Sequence, residues 1–261
     1  MTFSFLLRML FCALMLGAAT SQAALTDTER DVLLAQHNQS RSSATPSAAN
    51  MTRLAWDPNL ETVAQNWAAQ CNFSHNANRN NAYAGLSSNT GSVGENLYIT
   101  TSSRASALTS ASGATALWAA EVADYSFATN SCAAGKVCGH YTQMVWANTR
   151  RIGCAVQFCP TVIGLPTFTN AQLVVCDYNP AGNFIGQAPY LAGTSGSLCP
   201  ADLPNVLNGL CSPASAAGTT VKQVPTLPGS TLIVLAVLLA VRGLHGRRPR
   251  QPFAPGRRQT T

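Results

Sequence analysis

Apolar positions along the chain follow two periods, and these divide it before any chemistry is considered. After Asp57-Pro58, the residues Leu60, Val63, Ala64, Trp67, Ala68 and Cys71 fall at the spacing of one helix face. Asp57 is placed to cap that helix, and Pro58 sits where a missing N–H costs nothing. An earlier helix opens at Thr26-Asp27-Thr28-Glu29, a capping box in which Thr26 caps and Glu29 reaches back; it runs through Val32, Leu33 and His37 to end near Ser40-Arg41. A third helix is predicted over residues 114–125. Leu117, Trp118, Val122 and Tyr125 lie on its faces, and Glu121 puts a carboxylate on its largely apolar side. A short fourth helix begins near His140 and turns Met144 toward the core. Strands are predicted at residues 94–100, 152–158 and 172–178, the last two joined by a loop over 164–170. Loops are predicted over 41–51 and 76–92, a turn over 178–183, and an irregular tail from Gly186 onward.

Both ends depart from this pattern. Arg8 precedes an apolar run at residues 9–19 and the small-residue segment Thr20-Ser21-Gln22-Ala23, which together read as an export leader over residues 1–23, cleaved after Ala23. At the other end, Val224-Pro225-Thr226-Leu227-Pro228 precedes an apolar segment at residues 232–241 and a cluster of arginines. The segment is short of the ~20 residues that a spanning helix needs. It resembles the PEP-CTERM-like bacterial sorting tails with a Pro-Thr-Leu motif, which implies a processing transpeptidase as partner and transient membrane association. An ordinary tail anchor is the alternative reading. The linker before it is Ala, Ser, Gly and Thr, a flexible tether.

Charge changes the picture by subtraction. The formal net charge is +6, from 16 basic and 10 acidic residues. Arg8 lies in the leader and Arg242, Arg247, Arg248, Arg250, Arg257 and Arg258 lie near the C-terminus, so the body carries nine basic residues against ten acids and is close to neutral. No basic groove for nucleic acid follows from it. Of the nine cysteines, Cys12 leaves with the leader. Cys71, Cys132, Cys138, Cys154, Cys159, Cys176, Cys199 and Cys211 remain, an even set in an exported chain, which reads as four disulfides whose pairing spacing alone leaves open. Zinc-finger spacing is absent.

Four ordered motifs carry more than these parts do. His37-Asn38-Gln39-Ser40-Arg41, Gly94-Glu95-Asn96-Leu97, Gly139-His140-Tyr141-Thr142-Gln143-Met144-Val145-Trp146 and Cys176-Asp177-Tyr178-Asn179-Pro180-Ala181-Gly182-Asn183-Phe184 together resemble the CAP superfamily: cysteine-rich secretory proteins, venom antigen-five allergens and plant pathogenesis-related proteins of class one. Asp177 stands where that family usually has Asn, Gln, Arg, His or Ser. The resemblance implies an α+β fold, a disulfide-stapled three-layer α-β-α sandwich with a central antiparallel sheet, occupying residues 24–192. A disulfide-containing tail and linker would follow over 193–223, and the sorting signal or anchor over 224–261. It also implies the pairings Cys71–Cys154, Cys132–Cys138 and Cys159–Cys176, with Cys199–Cys211 as a local bridge.

The same resemblance implies a cleft lined by His75, Glu95, Glu121 and His140. Two imidazoles can each offer a nitrogen to zinc or another divalent metal, while the carboxylates orient bound water or fix the ring tautomers. His75 and His140 are then the metal candidates, and all four residues are the catalytic candidates if the site is catalytic. Three classes of function remain open. One is a non-catalytic exported module binding a metal, a lipid or an extracellular protein. A second is a metal- or Ser-dependent peptidase, for which no Gly-x-Ser-x-Gly or His-Glu-x-x-His run is present. The third is a purely structural surface-display domain.

Overall fold

The computed structural model describes residues 24–89, 91–101 and 107–214. Helix α1 (Asp27–Ser42) begins at the capping box, with Glu29 N–H donating to Thr26 Oγ1 and Thr26 N–H donating to the Glu29 carboxylate. Helix α2 (Pro58–Ala68) starts from Asp57, whose side chain accepts from the N–H groups of Asn59 and Leu60. Between them runs a two-residue strand β1 (Ala55–Trp56). Three long strands follow: β2 (Gly94–Thr100), β5 (Arg151–Thr161) and β6 (Thr169–Asn179). With β1 they form one sheet in the order β1-β5-β6-β2. The β5–β6 and β6–β2 ladders are antiparallel, whereas β1 joins β5 in parallel, so the expected antiparallel sheet is a mixed one at this edge.

Successive side chains of a strand point to opposite faces, and here each face has its own cover. Leu33 of α1 and Trp118 of α4 (Ala107–Ala120) pack with Cys154, Val156, Val174, Cys176 and Tyr178 on one face. Ala64 and Ala68 of α2 pack with Ala155, Cys159, Leu173 and Val175 on the other. These are the three layers. A Cβ on Gly153 would collide with the backbone of Leu60 and Glu61, so only glycine lets α2 lie this close to β5.

The face alternation corrects two expected disulfides. Cys154 and Cys176 are direct partners across the β5–β6 ladder and share the α1/α4 face, and they are bonded to each other. Cys159 lies five residues beyond Cys154 and so faces the opposite layer, where the end of α2 brings up Cys71; the bond is Cys71–Cys159. The expected Cys71–Cys154 and Cys159–Cys176 bonds would each have to pass through the sheet. Cys132–Cys138 and Cys199–Cys211 are as expected.

Three further elements differ from the sequence reading. The predicted loop after His75 contains a short helix, α3 (Arg79–Ala84). Helix α4 starts earlier than predicted and ends at Ala120; Glu121 opens a 3-10 turn over Glu121–Asp124, followed by a small hairpin of β3 (Tyr125–Ser126) and β4 (Ser131–Cys132). The tail after Gly186 is not wholly irregular. It ends in a hairpin, β7 (Asn205–Leu207) with β8 (Leu210–Ser212), which is tied to the body where Arg53 N–H donates to the Cys211 carbonyl and Cys211 N–H to that of Met51.

The leader over 1–23, the chain beyond 214 and the sorting or anchoring segment over 224–261 lie outside the described residues. Among the described residues, no helix is long and apolar enough to cross a membrane.

Candidate functional site

The segment after α2 delivers His75 to the edge strand β2. Cys71, in the left-handed backbone region at φ 51°, turns the chain out of the helix and is anchored to Cys159. Phe73 N–H donates to the Ile163 carbonyl and the Trp67 indole N–H to the Ser74 carbonyl, which leaves His75 little freedom of position. Its Nδ1 lies 2.8 Å from Glu95 Oε1, and the same oxygen accepts from Asn76 N–H at 2.9 Å. The Glu95 side chain is wholly buried, while the imidazole is 61% exposed, so a carboxylate under the surface holds a ring in solvent.

His140 is held in the same way from the opposite layer. It lies in the first turn of α5 (Gly139–Met144), which has no side-chain cap of its own. Glu121 supplies one from across the interface: Oε2 accepts the N–H groups of both His140 and Tyr141 at 3.0 Å, and Oε1 lies 2.6 Å from His140 Nδ1. The Cys132–Cys138 disulfide fixes the residue before the helix, and the Trp118 ring stacks on the imidazole with centroids 5.8 Å apart. Glu121 is therefore not the solvated helix glutamate that its place in the sequence suggests, since its side chain is 16% exposed.

Both carboxylates contact Nδ1, which makes Nδ1–H the donor in each pair and leaves Nε2 of each ring for another partner. No hydrogen bond or ion pair joins the His75–Glu95 pair directly to the His140–Glu121 pair. Asn96 connects them. It follows Glu95 in β2, faces the other layer, and its Nδ2 donates to the His140 carbonyl at 3.1 Å and to the Tyr178 hydroxyl at 3.2 Å. Tyr178 in turn donates to His37 Nε2 at 2.9 Å, and His37 Nδ1 donates to the Leu33 carbonyl at 2.8 Å. Burial lowers the pKa of His37 to about 4, so the ring is neutral and able to accept.

Sequence reasoning gave no role to His37, Asn96 or Tyr178, although each lies inside a quoted motif. A histidine spaced to fall on the buried stripe of α1 was the available signal. Among the described residues, no three His, Cys, Asp or Glu side chains are grouped so as to hold a metal ion. By chemistry, imidazole nitrogens with a carboxylate on the other ring nitrogen are donors of the type that a divalent ion takes.

Comparison with known proteins bears on the same residues. The model of the cysteine-rich secretory protein (CAP) family matches residues 34–178, which include all four site residues. Peptidase inhibitor 16 of Bos taurus is 40% identical over 201 residues, 77% of this chain and 40% of the relative. The chain thus spans well under half the length of that protein. GLIPR1-like protein 1 of Mus musculus is 38% identical over 183 residues, 70% of this chain and 72% of the relative. Among solved structures, NaASP2 with Zn2+ superposes with a TM-score of 0.57 at 30% identity, covering 73% of this chain and 98% of that one. Na-ASP-1 gives 0.59 at 27% identity over 75% of this chain and 50% of that one. From its layered fold, its paired histidines and these matches, the chain belongs to the cysteine-rich secretory protein (CAP) family.

Proposed function

We propose that this chain is an exported, non-catalytic binding module whose cleft takes a divalent cation, with zinc as the reference ion, between His75 and His140. The observation that carries the reading is the doubled arrangement at the site: two imidazoles, each with Nδ1 tied to a shielded carboxylate and Nε2 left over. Such carboxylate–histidine pairs orient a ring toward a metal and raise its basicity. NaASP2, which shares the fold, was solved with Zn2+. A structural zinc site uses four protein ligands and a catalytic one three, so a two-imidazole site holds its ion weakly and leaves water in the other positions. Among the described residues no serine or cysteine is hydrogen-bonded to either imidazole, so the reading stops at binding rather than hydrolysis by a side-chain nucleophile. The predicted leader and the four disulfides suit an oxidising compartment outside the cytosol. A transpeptidase acting on the C-terminal segment belongs to the same proposal, and the mass of the mature protein tests it.

One observation favours a second ligand class. Between α1 and α4 lies a groove of about 400 Å³ lined by Ala35, Ala116, Ala119, Gln36, Gln39 and the buried Thr115. A groove that sets three alanines beside two glutamines offers an acyl chain apolar contact and its headgroup hydrogen-bonding partners. Thermal unfolding of the full chain separates the two readings. Metal binding predicts that zinc at a hundred times its dissociation constant stabilises the wild type by about 2.7 kcal/mol, and that the double variant His75→Ala/His140→Ala, still folded, does not respond. A wild type indifferent to zinc but stabilised by a fatty acid, with that response lost in Ala116→Trp, moves the function to the groove.

A further inference from the structure

Beneath His75, two buried carboxyl residues face each other across the β2–β6 ladder. Glu95 on β2 stands directly opposite Asp177 on β6. Residues so placed on antiparallel neighbours share a face, with Cβ atoms about 5 Å apart. That face is the one under α2, because Leu97 and Val175, two positions along each strand, pack there. Asp177 is 0% exposed, as is the Glu95 side chain. Glu95 Oε2 and both carboxyl oxygens of Asp177 are buried without a hydrogen-bond partner.

Two buried carboxyl groups on facing positions, with three of their four oxygens lacking a donor, do not both stay ionised. The donors decide which one holds the proton. Glu95 Oε1 collects two, His75 Nδ1–H and Asn76 N–H, and Asp177 collects none. Arg79 of α3 is the cation nearest in effect to Asp177, yet its Nε and Nη1 donate to the carbonyls of Val93 and Asn76, and it forms no ion pair with Asp177. The acids of α2 and its cap are engaged elsewhere, Glu61 by Arg30 and Trp56, and Asp57 by Tyr83. Tyr178 and Arg41 act from the opposite face of the sheet. Burial and the charge of Glu95 both push the Asp177 carboxyl well above the usual range, and Arg79 opposes them only in part.

We propose that Asp177 is a neutral carboxylic acid whose hydroxyl donates to Glu95 Oε2, which makes it the positioning residue for His75. With Oε2 occupied from below, Glu95 keeps Oε1 directed at the imidazole, Nδ1 stays protonated, and the Nε2 lone pair stays turned outward. The inference does not depend on a metal in the cleft, so it can fail or stand separately from the proposed function.

Infrared spectroscopy and histidine nitrogen NMR on the full chain near neutral pH test it. The wild type shows the carbonyl band of a protonated carboxylic acid, and Asp177→Asn loses it. Asp177→Asn, whose amide still donates, leaves the His75 nitrogen shifts unchanged. Asp177→Ala, which cannot donate, moves a measurable fraction of His75 to the Nε2–H tautomer. Absence of the acid band from the wild type overturns the proposal, as does an Asp177→Ala protein with an unaltered His75. If Asp177→Ala does not fold, the band and its loss in Asp177→Asn decide the matter alone.

Discussion

The guanidinium of Arg41 answers to carbonyls rather than to an acid. Buried near the end of α1, it donates through Nε to the Thr52 carbonyl, through Nη1 to those of Met144 and Trp146, and through Nη2 to those of Ala147 and Thr149. Burial lowers its pKa to about 9, and the group remains cationic at neutral pH. One of the five carbonyls, that of Met144, ends α5, the helix that carries His140, so Arg41 braces the site from behind. Replacing it with Lys keeps the charge but loses the planar fork, and replacing it with Met leaves five buried acceptors short of a donor. Either change is expected to cost about 2–4 kcal/mol in urea unfolding, the range for breaking a buried charged network. A loss under about 0.5 kcal/mol, the size of an ordinary surface change, would show that the network is dispensable.

Among the elements, the strongest periods and caps translated directly: Thr26 and Asp57 cap as predicted, and β2 has its predicted extent. The misread helices share a physical cause, because each depended on partners distant in sequence. Helix α3 has no side-chain cap and carries Tyr83, which packs with Leu60 and Val63 and donates to Asp57; its stability comes from that docking rather than from its Asn-rich sequence. Glu121 could not be read as the cap of α5 because the two are joined only through tertiary contact. The disulfides failed for another reason. Family resemblance proposed pairs without asking which face of a strand each sulfur occupies; β5 runs past the predicted end at residue 158 to Thr161, so Cys154 and Cys159 fall five apart in one strand and on opposite faces. A peptide map of the unreduced protein is therefore expected to recover Cys71 linked to Cys159 and Cys154 linked to Cys176. A fragment joining Cys71 to Cys154 would refute the face assignment.

At the scale of the whole molecule, the sheet separates two buried titratable groups whose effects on stability run in opposite directions. His37, on the α1 side, has its folded pKa lowered from 6.5 to about 4, chiefly by burial. Its contribution is intact above 6.5 and is lost as pH falls toward 4, by up to about 3 kcal/mol. Asp177, on the α2 side, has its folded pKa raised well above 3.8, so its contribution is full below 3.8 and declines as pH rises, by about 1.4 kcal/mol per pH unit until the folded group ionises. While both groups titrate the two slopes oppose each other, and above 6.5 the slope from His37 is gone. Asp177→Asn removes one member of the opposed pair. Relative to wild type, that variant is expected to gain stability as pH rises above the ordinary carboxylate range, for as long as the folded Asp177 stays protonated, and on its own to weaken as pH falls below about 6.5, where His37 is no longer offset. Urea unfolding of both proteins at several pH values measures the difference directly, so the other carboxylates, common to both, cancel. A difference that does not change with pH would mean that Asp177 carries the same charge folded and unfolded, and the neutral acid beneath His75 would have to be given up.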